Sequence, residues 1–304
     1  MANLILLFIC LAAGMLLGNF RLVPEKSYQL LNQLLVWLFI PAITFLHIAE
    51  TTINASFFLP IVTPWIVYAA AFVFFCFYAK KNKIKKADIG TLILTGGISS
   101  ISFVGFPIFE ILYGKQGLEA GIMMSQAGTF LVCSTLGVIT ASWYGAEKAT
   151  IATMIKNILK FPPFIAFSIS ILLNLFHYRH TVIIKDVLEK LSSPFSVVAL
   201  ITVGLQIDIS KNIFNNKLLI AGLFFKLIVA PLIIFIVMLL CFSHFGMMQE
   251  ICVLGAAIGS MNTAAILVYR FKLNEALAAK MVAIGIPLSL PLVYIIHLFL
   301  QKFK

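Results

Sequence analysis

Gly96-Gly-Ile-Ser-Ser-Ile-Ser-Phe-Val-Gly-Phe-Pro107 and Gly255-Ala-Ala-Ile-Gly-Ser-Met-Asn-Thr263 are the two stretches that decide the fold. Each lies inside a long apolar segment. Each is rich in small and polar residues where a plain membrane helix would carry Leu and Ile. Pro107 removes a backbone donor and clashes with the preceding turn, and Gly105 lowers the cost of a non-helical turn beside it. Irregular backbone survives at membrane depth only where it is buried in protein or lines a cavity. Both segments are therefore expected to break near mid-membrane. Close helix packing through small residues, as at the Gly255/Gly259 spacing, is the alternative.

The rest of the chain supplies the membrane context. Of its 304 residues 62% are hydrophobic and 11% charged, and mean hydropathy is +1.06. A soluble domain averages roughly 45–50% apolar and about 25% charged, so most of this surface must face something other than water. Apolar stretches bounded by charge, Pro or Gly fall at about 3–20, 29–49, 58–79, 88–112, 118–142, 161–177, 190–208, 217–242, 249–269 and 276–300. Each approaches the roughly 20 residues that span a bilayer. The expectation is an all-α membrane protein of about ten transmembrane helices in a single transporter domain, 1–304. The first stretch lacks the basic start and small-residue cleavage site of a signal peptide and reads as a retained helix.

Net charge is +11. In a soluble chain that would suggest nucleic acid, but here it reads as loop charge, and no nucleic-acid partner is expected. Most Lys and Arg fall in alternate connections, densest in KKNKIKK at 80–86. The positive-inside rule makes those connections cytoplasmic and places both termini outside a plasma membrane. Cys10, Cys76, Cys133, Cys241 and Cys252 are scattered through apolar runs, which points away from disulfides and metal ligation. No cofactor is expected.

Tyr113-x5-Glu119-Ala120 and Tyr269-x5-Glu275-Ala276 repeat at an offset of 156 residues, about half the chain. The offset pairs spans 1–5 (about 1–145) with spans 6–10 (about 158–304). Each set holds an odd number of spans, so the two halves would be inverted repeats with spans 4 and 9 equivalent.

Broken helices at matching places mark a transport site. Half-helix N-termini present free N–H groups and partial positive charge, which suit a carboxylate. Ser100, Ser102, Asn262 and Thr263 can add neutral hydrogen bonds beside Gly105 and Pro107. Lys226 lies about 13 Å into the eighth span, and a lysine stem reaches roughly 6 Å. It would attract an anionic substrate or brace the crossing helices. Snorkelling or a pair with Asp208 are the other readings. Gln126, mid-span in the fifth helix, either lines the cavity or bridges helices.

The chain resembles the auxin efflux carrier family, bacterial type, over nearly its whole length. The resemblance rests on FIPAITF (39–45), FVGFPIFEILYG (103–114), VGLQI (203–207), KLIVAPL (226–232), GSMNTAAILVYRFKLNEALAA (259–279) and IPLSLPLVYI (286–295). It implies two inverted five-helix repeats, crossing broken helices 4 and 9, and elevator-type alternating access. It also implies homodimers and carboxylate substrates such as auxin or malate. Two positions depart from the family's frequent pattern. Ser100 stands where Asn is common and Asn262 where Pro is common, so no particular substrate carries over.

The sequence reading is a secondary transporter of small organic anions, with proton coupling or uniport. A sodium-coupled symporter of the bile-acid type and a non-transporting sensor that keeps the fold are the alternatives. An enzyme is not expected, since HExxH, GxSxG and a paired Asp/His cluster are missing.

Overall fold

The structure is a computed structural model that describes residues 2–20, 22–24, 27–206, 216–242 and 244–303, with side chains from residue 9 onward. Arg21, Lys26, Asp208 and Lys211 lie outside the described residues, so the Lys226–Asp208 pair is not among the contacts seen. Among the described residues the regular secondary structure is helical, save for a single isolated β-bridge.

In chain order the elements are α1 (Ala2–Asn19), α2 (Ser27–Ile48), α3 (Phe58–Asn82), α4 (Lys86–Gly97), α5 (Ile101–Tyr144), α6 (Ile151–Lys160), α7 (Pro162–Leu175), α8 (Val182–Leu205), α9 (Lys217–Cys241), α10 (Met247–Ala257), α11 (Asn262–Arg270) and α12 (Glu275–Leu300). Among the described residues, six helical runs are long and apolar enough to cross a bilayer: α2, α3, α5, α8, α9 and α12. There are seven if α6 and α7, bent by 70°, form one span. Ten were expected. The shortfall falls where helices are broken (α4, α10, α11), where the described apolar part is short (α1), and in α5, which counts once. At 44 residues and about 1.5 Å rise per residue, α5 is twice as long as a bilayer requires. Gly114 breaks it, with φ 62° and ψ −148°, a region essentially closed to other residues.

Proline shapes several helices in the same way. The turns Leu35–Phe39, Ile101–Gly105 and Phe225–Val229 are π-helical, and each ends two residues before a proline: Pro41, Pro107 and Pro231. A proline ring lacks the N–H for its i−4 carbonyl and clashes with it. Widening the preceding turn removes the clash without ending the helix.

The chain forms two compact units. The first comprises residues 1–55, 102–122 and 157–211. In it, Asn174 Nδ2 of α7 donates to the carbonyls of Ile48, Ala49 and Thr51 at 3.0, 3.2 and 2.7 Å, capping the end of α2. The backbone N–H of His180 donates to Glu50 Oε1 at 2.7 Å, and this bond holds the Glu50 carboxyl below the usual range. The second unit comprises residues 56–101, 123–156 and 212–304. There Tyr68 of α3 donates to Thr140 Oγ1 at 2.7 Å, and Phe75 packs 5.1 Å from Phe225, tying α3 to α5 and α9.

Candidate functional site

The second unit contains a crossover of broken helices. α4 ends at Gly97 because Ile98 turns extended (φ −117°, ψ 116°), and α10 ends at Ala257 where Ile258 does the same (φ −65°, ψ 137°). Met261 is also extended just before α11 begins. The two extended pieces pair antiparallel at Ser99 and Ser260. Ser100 N–H donates to Gly259 O at 2.9 Å, and Met261 N–H donates to Ile98 O at 3.0 Å. The broken backbone thus satisfies itself where it is buried in protein. Gly259 sits so close to α12 that a Cβ there would lie 2.6 Å from the backbone of Gly285 and Ile286.

Side chains lock the crossing. Ser260 Oγ donates to Thr95 O at 2.6 Å, taking one of the carbonyls freed at the end of α4. Lys226 Nζ donates to Ser99 Oγ at 2.6 Å and is 0% exposed. Pro231 accounts for its position, because the widened turn before that proline carries the lysine. Among the described residues no carboxylate pairs with this ammonium. Its favourable partners are a hydroxyl and the negative C-terminal end of α4. In the same unit, the buried Ser100 Oγ, Gln126 Oε1 and Thr129 Oγ1 have no hydrogen-bond partner among the described residues. Buried polar atoms of this kind call for explanation, and a ligand is one.

Lys226 braces the crossover, one of its two functional readings, but through a hydroxyl rather than a carbonyl; the snorkelling reading is overturned, because it is wholly buried. Ser100, Gln126, Asn262, Thr263 and Lys226 belong to the second unit, with Asn262 and Thr263 half-buried in the first turn of α11. Ser102, Gly105 and Pro107 belong to the first unit. The expected break at Gly105 and Pro107 is corrected: both sit in continuous helix, and the break lies at 98–100. The π turn absorbs Pro107, so the proline no longer needs to end the helix. Sequence reasoning missed Ser99, Ser260, Thr95 and Thr129. Ser99 and Ser260 stand 161 residues apart, and the Tyr-x5-Glu-Ala offset of 156 does not align them.

Apolar spans, a buried crossover of broken helices and a wholly buried lysine fit a membrane transport protein. The profile of the membrane transport protein family matches residues 1–297. The chain belongs to that family, the auxin efflux carriers, as the sequence resemblance implied. Two similar archaeal proteins are themselves described as uncharacterized transporters. One, from Methanothermobacter thermautotrophicus, is 24% identical over 91% of this chain and 90% of its own. The other, from Methanocaldococcus jannaschii, is 24% identical over 75% of each.

Proposed function

We propose that the protein is a secondary carrier of small organic anions, built as ten spans in two inverted repeats. It would carry a carboxylate at the crossover of the second unit by elevator-type alternating access. Proton coupling, a homodimer and a plasma-membrane location with both termini outside belong to the same reading. The observation that carries it is Lys226: a wholly buried lysine, its Nζ 2.6 Å from Ser99 Oγ, with no carboxylate partner among the described residues. An isolated buried charge is costly, and an ionisable group within the membrane marks a transport path by default. An incoming carboxylate would supply the missing counter-charge. The hydroxyls of Ser100 and Thr129 and the amide of Gln126 would give it hydrogen bonds, and the first turn of α11 would present N–H groups through Asn262 and Thr263.

The test is uptake into liposomes containing the purified protein, using a panel of radiolabelled dicarboxylates and indole acids. Saturable uptake of at least one anion, absent from empty liposomes, is expected. Failure of the whole panel in both uptake and exchange would refute the carrier reading.

A further inference from the structure

The second unit also carries an open groove of about 800 Å³ between α3 and α9. Its walls are apolar and include Ile66, Ala69, Phe74, Phe77 and Ile233, and one charged residue, Lys81, closes one end. From Ile66 to Lys81 the wall runs fifteen residues along one helix, about 22 Å at 1.5 Å per residue. That exceeds the roughly 15 Å of hydrocarbon in one leaflet. Ala69 and Ala70 put only small side chains into the wall between Ile66 and Phe74. At the Lys81 end the chain is densely basic, with Lys80, Lys83, Lys85 and Lys86 all exposed.

We propose that this groove binds an anionic phospholipid, one acyl chain lying along α3 and the phosphate held at Lys81. Charge selects the headgroup class. Lys81 is the one charged residue of the lining and belongs to a run of exposed lysines, and among the described residues it makes no salt bridge. Length selects the chain, because the lining along α3 is longer than the hydrocarbon of one leaflet is thick. The bound chain would also touch the machinery of the crossover. Phe74 lines the groove and packs 5.0 Å from Phe225, the residue beside Lys226. This proposal rests on the groove alone and stands whether or not the substrate is an organic anion.

Native mass spectrometry of the purified full chain, with phosphatidylglycerol and phosphatidylcholine in competition, tests it. Phosphatidylglycerol is expected to bind about five-fold more tightly, the factor that one lysine near a charged lipid surface supplies. Lys81→Glu should abolish that preference. Ala69→Trp, which fills the trough without touching its charge, should lower occupancy by phosphatidylglycerol at least five-fold. Water-soluble glycerol phosphate should not compete. Both substitutions lie on the exposed face of α3, and size-exclusion profiles matching the parent chain establish that they fold. Equal binding of the two lipids overturns the proposal. So does a preference that survives Ala69→Trp undiminished, since that outcome means attraction to the lysines without use of the groove.

Discussion

A lysine buried without a counter-ion behaves differently from one in a salt bridge, and two substitutions of Lys226 separate its roles. Methionine keeps most of the volume and removes the charge. Replacing a poorly compensated buried charge with an apolar side chain of similar size is often neutral or stabilising. Lys226→Met is therefore expected to melt at or above the parent temperature while losing anion transport. Lys226→Ala also leaves a hole beside Phe225, and large-to-small changes in a packed interior cost about 2–5 kcal/mol. It should melt lower as well as fail to transport. Differential scanning fluorimetry beside liposome uptake reads both. A Lys226→Met chain that transports normally would remove the lysine from the site. The place of Lys226 in an apolar run was legible in the sequence, and the structure shows the residue wholly buried. Its partner was not, because Ser99 is 127 residues away and no local pattern points to it.

At the scale of the helix, prolines and glycines carry the information, and they carry it ambiguously. Pro107 reads as a helix breaker, yet it follows a widened turn in unbroken helix. Gly114, which looks like ordinary loop composition, is where α5 actually turns. A Cβ at Gly114 would meet nothing within 4 Å, so the cost of substitution is purely conformational. Gly114→Ala should destabilise the protein by about 1–3 kcal/mol, the usual cost of forcing a side chain into that backbone region. A fall in melting temperature would show it, and an unchanged melt would mean the turn relaxes freely. The ends of most helices lie within a few residues of the expected spans, because hydropathy reports burial in lipid directly. The extended pieces at 98–100 and 258–261 were placed less well. Their stability comes from pairing with each other across 161 residues, and neither is stable by local preference alone.

For the molecule as a whole, the distribution of lysines predicts orientation. Asn82, beside the basic run, and Val182, at the start of α8, are both exposed and should lie on opposite faces of the membrane. With Cys76 and Cys241 replaced by Ser, Asn82→Cys should react with a membrane-impermeant thiol reagent only from the cytoplasmic side. Val182→Cys should react only from outside. The reverse pattern would invert the topology, and labelling of both from one side would break the span count between them. Composition alone established an integral membrane protein. The division into two units did not follow from the repeat, because each unit gathers segments from both halves of the chain.

In its protonated form, the buried lysine at the crossover would also have an electrical consequence. A fixed positive charge deep in the bilayer feels the transmembrane voltage, worth about 2.3 kcal/mol per unit charge for each 100 mV of field crossed. In a carrier of the proposed kind, a bound monoanion cancels that charge and the loaded protein crosses the field nearly silently. The empty protein returns with its charge exposed to the field. Voltage would then act on the resetting step and leave the loaded step almost untouched, while a dianion would reverse the sign of the charge carried on loading.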